Sequence, residues 1–213
     1  MMRFPVIAAL ACTLALGACG TASDNPLRAT VFANLKQLVS KKGDQQVLTT
    51  AILRARLTSE VRASLGASVL IAELPNQKVA AVVLAVAQNG GVTTWQAGDG
   101  VAVNTKAGLL LSTRGVGFDL MSSSVDGPLA MIKGRGTGTA VREHRHLDGE
   151  DQLVLTRFEC TYLHSKDTVL ESCANKNLTI ENQYWLDRSG DIWRSKQWSG
   201  ARNGYMLLEN PPE

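Results

Sequence analysis

Aromatic side chains make up only 5% of this 213-residue chain, and it holds three histidines, four cysteines and six prolines. Each shortage excludes something. Neither sign of charge dominates, with 22 Lys and Arg against 19 Asp and Glu. There is no basic block, so the electrostatic footprint of a nucleic-acid binder is missing. No Cys-x-x-Cys redox or zinc motif occurs. No Gly-x-Ser-x-Gly elbow presents a serine nucleophile. Gly134-Arg135-Gly136-Thr137-Gly138 offers glycines and a hydroxyl but lacks the Gly-Lys-Ser/Thr ending that cradles a nucleotide phosphate, and reads as a flexible linker. No cofactor is implied. After the first 18 residues, no apolar run approaches the roughly 18 residues of a membrane span.

What is present begins at the N-terminus. Arg3 gives a positive start, Phe4–Leu16 is apolar apart from Thr13, and Leu16-Gly17-Ala18-Cys19 closes the stretch. The apolar run is too short for a permanent span and has the layout of a secretory signal. An ordinary signal needs no cysteine after the cut. A lipoprotein does, because the thiol is alkylated by a diacylglyceryl group before cleavage. The expectation is a signal peptide over 1–18, lipid attachment at Cys19, a polar tether over 19–25 and a single β-rich periplasmic domain over 26–213. A mature bacterial lipoprotein carries three acyl chains, where two signals already suffice for stable anchoring. Gly20, rather than Asp, after the cysteine points to the outer membrane. Cys12 leaves with the signal, so Cys160 and Cys173 remain as an even pair in an oxidising compartment. They are expected to form a disulfide.

Asn25-Pro26 suits a helix start, and Leu27, Val31, Leu35, Leu38 and Val39 recur at helical spacing, predicting an amphipathic helix over about 26–41. Residues 49–57 alternate like a strand. Thr58–Leu65 reads as a short helix with Thr58 as cap and Gly66 as stop. From Ser68 onward β-branched runs are broken roughly every eight to twelve residues by turn signals such as Asn89-Gly90-Gly91, Gly98-Asp99-Gly100, Asp148-Gly149 and Ser189-Gly190. Arg114–Met121 reads as a loop leaving the sheet. The pattern predicts a mainly β fold: one antiparallel β-sandwich or curved, barrel-like domain.

Few residues suggest chemistry. His144 and His146, two apart in a strand, share a face and could chelate a metal, with His164, Asp148 or Glu150 as a third ligand. A solvated strand edge explains them as well, and no metal is assigned. Asp148, Glu150 and Asp151 cluster carboxylates, as a glycoside hydrolase needs, yet Asp-Gly is also a hairpin turn. No catalytic residue is assigned. Trp95, Trp185, Trp193 and Trp198 could stack on sugars or pack in the core. Arg114, Asp119 and Arg194 could line a cleft or brace loops.

Four stretches carry a likeness. They are Leu48-Thr49-Thr50-Ala51 with Ser64-Leu65-Gly66; Thr94-Trp95-Gln96 through Leu110–Gly117 to Asp119-Leu120-Met121-Ser122; His144–Asp151 with Phe158-Glu159-Cys160; and Tyr184-Trp185-Leu186-Asp187 with Gly190–Ser195 and Gln197. In this order the chain resembles the YjbF/GfcB family of lipoproteins, associated with exopolysaccharide and group 4 capsule production. The resemblance implies an all-β outer-membrane lipoprotein whose operon neighbours handle polysaccharide export. It transfers no catalytic residues. The expected function is non-enzymatic assistance of secretion by binding glycan or an export-machinery partner, with Trp95, Arg114, Asp119, Trp185, Trp193 and Arg194 as candidate contacts. The expected partners are the lipid bilayer, exopolysaccharide and other export proteins, without nucleic acid. Two alternatives stand beside it: a polysaccharide-modifying enzyme using Asp148, Glu150 and Asp151, and a purely structural envelope lipoprotein.

Overall fold

The computed structural model describes residues 47–134 and 138–211. The signal, Cys19, the tether, the helix expected over 26–41 and part of the Gly134–Gly138 linker lie outside the described residues. Two short helices come first, α1 (Thr50–Arg56) and α2 (Ser59–Leu65). Twelve strands follow: β1 (Val69–Leu74), β2 (Val79–Asn89), β3 (Val92–Gln96), β4 (Ala102–Lys106), β5 (Leu109–Arg114), β6 (Leu120–Ser123), β7 (Thr139–Leu147), β8 (Leu153–Ser165), β9 (Thr168–Ala174), β10 (Thr179–Leu186), β11 (Ile192–Gly200) and β12 (Gly204–Glu209). Helix α3 (Asp126–Gly134) sits between β6 and β7.

All strands join one antiparallel sheet in the order β5-β4-β3-β2-β1-β12-β11-β10-β9-β8-β7-β6. The sheet curls until its edge strands lie side by side. There Thr113 accepts a hydrogen bond from the Leu120 amide at 2.9 Å and donates to Asp119 at 3.0 Å. Pairing or covering edges in this way removes the exposed ladder that invites aggregation. The result is a nearly closed barrel, as the turn spacing predicts. Successive turns alternate between its two ends. One end carries residues 75–78, 97–101, 115–119, 148–152, 175–178 and 201–203. The other carries the β10–β11 turn, α3 and the helices that precede β1.

Two predicted segments differ. Residues 50–56 are helical rather than strand-like. Thr49 caps the start by accepting from the Ile52 amide, and Leu53 and Leu57, four apart, bury on one side. They pack with Leu65 on the outer face of β1 and β2, against Val69, Ile71, Val82 and Leu84. The apparent alternation mixed buried Leu53 and Leu57 with exposed Ala51 and Ala55. Within 114–121, only 115–119 form a turn, and Leu120 and Met121 open β6. The second helix begins at Thr58 and ends at Gly66, as its sequence predicts.

The barrel interior holds two apolar clusters. One gathers Leu70, Val83, Trp95, Val103, Leu110, Leu120, Met206 and Leu208. The other gathers Leu109, Ile132, Phe158, Val169, Ile180, Tyr184 and the two cysteines. Between them β5 reaches β11 across the interior: Gln197 accepts from the Leu110 amide and donates to the Gly108 carbonyl, both at 2.9 Å. Gly108 permits the approach, since a Cβ there would lie 2.7 Å from that of Ile192.

Candidate functional site

The best-buried polar group in the barrel is one the sequence reading passed over. Alternation along β9 puts Val169, Glu171 and Cys173 on one face, and Arg142 lies on the inner face of β7. Arg142 grips Glu171 with two bonds of 3.0 Å, and both residues are fully buried. Glu171 also accepts from Tyr162 (2.7 Å), Tyr184 (2.6 Å) and Asn182 (2.7 Å). Arg142 adds Tyr184 at 3.0 Å and Ser123 at 3.2 Å. Burial works against the Glu171 charge, but Arg142 and the two tyrosine hydroxyls outweigh it and hold the carboxyl below its usual range. Burial also raises both tyrosines, so they stay neutral donors.

Cys160 and Cys173 form a disulfide across β8 and β9, directly opposite in register and fully buried, as expected. Their sulfurs lie within 4.8 Å of a Glu171 oxygen. This trio could otherwise suggest a metal. Here the sulfurs are bonded to each other and the carboxylate serves five donors, which leaves no ligand set.

His144 and His146 do share a face, but it is the inside of the barrel, not a solvated edge. The expectation of an edge fails because β8 extends over 13 residues and covers this strand. His144 is 1% exposed, and neither ring nitrogen has a hydrogen-bond partner among the described residues. Its ring stands edge-on to Phe158, with centroids 5.9 Å apart. His146 binds the Ser199 carbonyl through Nε2 at 3.0 Å, close beside Gly200, where a Cβ would lie 2.7 Å from that nitrogen. His164 instead bonds the Met131 carbonyl beside α3, at the other end of the barrel. The three histidines therefore form no metal site.

Burial, reinforced by Arg142 and His146 and opposed by Glu171, lowers the His144 pKa to about 3. An unfolded histidine titrates near 6.5. Below that value the unfolded chain binds a proton that the native state refuses, so stability falls as pH drops from about 6.5 towards 3. The loss reaches about 2 kcal/mol by pH 5. Urea midpoints at pH 7.5 and pH 5 should show it, and His144→Phe should flatten that part of the profile.

The remaining sequence candidates separate. Trp95 is buried and donates its indole N–H to Thr105 at 2.8 Å, so it packs in the core. Arg114 is exposed at the end of β5. Asp119 braces its turn by accepting from the Gly115 and Val116 amides and from Thr113. Asp148 does the same for the acidic turn, accepting from the amides of Glu150 and Gln152 at 2.9 Å, and all three acids there are exposed.

Trp185 and Arg194 do come together, while Trp193 lies at a separate groove. Trp185 and Arg194 are cross-strand partners on the outer wall, with the guanidinium 4.7 Å from the indole centroid. Arg194 also faces buried Glu209, which Arg54 of α1 grips through Nε and Nη2. Glu73 accepts from the amide and hydroxyl of Thr50, at 2.6 and 2.5 Å, at the start of the same helix. Helix α1 is thus latched over β1 and β12. Trp193, at a bulge in β11, lies at the rim beside a groove of about 560 Å³ that also exposes Arg62, Asp187 and Asn210. Arg62 donates to the Pro211 carbonyl at 3.1 Å, and the Asn210 amide donates to the Trp193 carbonyl at 2.7 Å.

The nearly closed antiparallel barrel is a fold shared with a solved bacterial lipoprotein. That protein is the hypothetical lipoprotein YmcC of Escherichia coli K12, with a TM-score of 0.59 over 80% of this chain and 98% of that one; the identity is 15%, so the likeness concerns the fold. The family described as group 4 capsule polysaccharide lipoprotein GfcB, YjbF matches residues 32–210, and the chain belongs to it. No curated protein matches the sequence. Membership makes this a capsule-associated lipoprotein of the cell envelope, anchored to a membrane.

Proposed function

We propose that this protein is an outer-membrane lipoprotein, anchored through Cys19 with its barrel in the periplasm, that assists capsule or exopolysaccharide secretion by binding the polymer. Residues 1–18 are its signal and 19–25 its tether. It works without catalysis. The observation that carries the reading is the groove at the barrel rim. A flat indole, Trp193, lies there beside a guanidinium, a carboxylate and a carboxamide. Apolar ring faces and planar polar groups match the two kinds of surface a pyranose presents.

The test is affinity electrophoresis or calorimetry of the detergent-purified lipoprotein with the polysaccharide its own cells secrete. Trp193→Ala should weaken binding at least tenfold, the cost of truncating a central aromatic contact. Unchanged affinity in that variant, or no binding by the wild type, overturns the reading. One observation favours a second reading. Leu147, Leu153 and Leu155 form an exposed apolar group at the β7–β8 hairpin. Such a patch suits docking onto another envelope protein of the export apparatus.

A further inference from the structure

A second cavity opens at the other end of the barrel from the Trp193 groove, among the turns that follow β5, β7, β9 and β11. It has a volume of about 270 Å³. Phe158, Leu178 and Val154 supply apolar walls, and Phe118 stands at the mouth under the guanidinium of Arg202, 4.2 Å from its ring centroid. His144 lies at the inner end.

The decisive feature is that histidine. A buried polar atom without a hydrogen bond is destabilising, and His144 leaves both Nδ1 and Nε2 without partners among the described residues. A packed core would favour an apolar residue here. The neighbouring polar groups are already engaged: His146 on the Ser199 carbonyl, and Asp119 on Thr113 and the amides of Gly115 and Val116. Among the buried side-chain polar atoms that line the cavity, those without a partner belong to this neutral imidazole, which offers one donor and one acceptor. A hydroxyl both donates and accepts. A bare charge would satisfy only one side of such a ring, and the apolar walls would strip it of water.

We propose that this cavity binds one uncharged, hydroxyl-bearing ring of about the size of a hexose residue, seated against Phe158 and hydrogen-bonded to His144. The site is separate from the Trp193 groove, and either can fail without the other.

The test uses the full lipoprotein in detergent, labelled with 15N-histidine, and follows the His144 ring signals during titration with D-glucose, D-galactose, N-acetyl-D-glucosamine or D-glucuronate. At least one of the three neutral sugars should shift those signals saturably in the millimolar range, with glucuronate at least tenfold weaker. Leu178→Trp fills the cavity from its rim without touching His144. It should weaken the best sugar at least tenfold while leaving the rest of the histidine spectrum in place. His144→Gln, which keeps a donor and an acceptor, should retain binding by calorimetry within about tenfold, whereas His144→Phe should abolish it. The proposal is overturned if no neutral sugar shifts the signals, if glucuronate binds as well as they do, or if Leu178→Trp leaves the response unchanged. Polymer binding lost in Trp193→Ala with the His144 response intact would count against neither site.

Discussion

Glu171→Ala should lower the stability of the barrel by about 3–5 kcal/mol, the range for stripping one partner from a buried ion pair. The loss arises from what stays behind. Arg142, fully buried, would keep its charge with only Tyr184 and Ser123 as partners, and Tyr162 and Asn182 would each lose an acceptor. Urea unfolding at pH 7.5 measures the change as a shift in midpoint at constant slope. Glu171→Gln keeps the shape and is expected to fall between wild type and alanine. Replacing both charges, with Arg142→Met and Glu171→Met, should restore much of the loss, because a buried pair is often no more stabilising than apolar residues of similar volume. If the double variant is as unstable as Glu171→Ala, the pair contributes more than the avoidance of a lone charge.

The second large effect belongs to the disulfide. The variant with both Cys160→Ala and Cys173→Ala should lose about 3 kcal/mol, the loop-closure contribution of a bridge between residues 13 apart in sequence. Its hairpin is short and its register is fixed by a full ladder between β8 and β9, so the fold should survive at 25 °C and fail at a lower denaturant concentration. Mass spectrometry of the wild type before and after reduction verifies the bridge. A variant as stable as wild type would mean that the ladder alone already restricts the unfolded hairpin. The two effects should not add, since the sulfurs lie within 4.8 Å of Glu171.

Local chemistry made most of the architecture legible. Turn residues divided the chain near the observed strand ends, and Thr58 and Gly66 marked α2. The disulfide followed from counting cysteines in an oxidising compartment. What resisted reading was whatever depended on neighbouring strands. Arg142, His144 and His146 look like a polar strand edge, because nothing in β7 reveals that Tyr162, Glu171 and Tyr184 point inward from β8, β9 and β10. One signal was available: an inward Cys173 obliges Glu171, two residues earlier, to point inward as well. A buried acid then calls for a buried cation. Residues 50–56 misled because their alternation hid the N-cap at Thr49 and the four-residue spacing of Leu53 and Leu57. Of the sugar-contact candidates, Trp95 is core and Asp119 is a turn brace, while Trp193, in an aromatic-poor chain, lies at the rim groove.

The sheet order also has a consequence for how the protein is made. β12, the last strand to be synthesised, pairs with β1 on one side and β11 on the other. Residues Gly204–Glu209 therefore occupy the middle of the sheet. Until they arrive there are two unfinished ladders, each with an open edge, and no barrel. Contacts so distant in sequence form slowly, and open edges are hazardous while they persist. Under the export to the periplasm proposed above, that delay is useful, because the fold cannot be completed until β12 arrives.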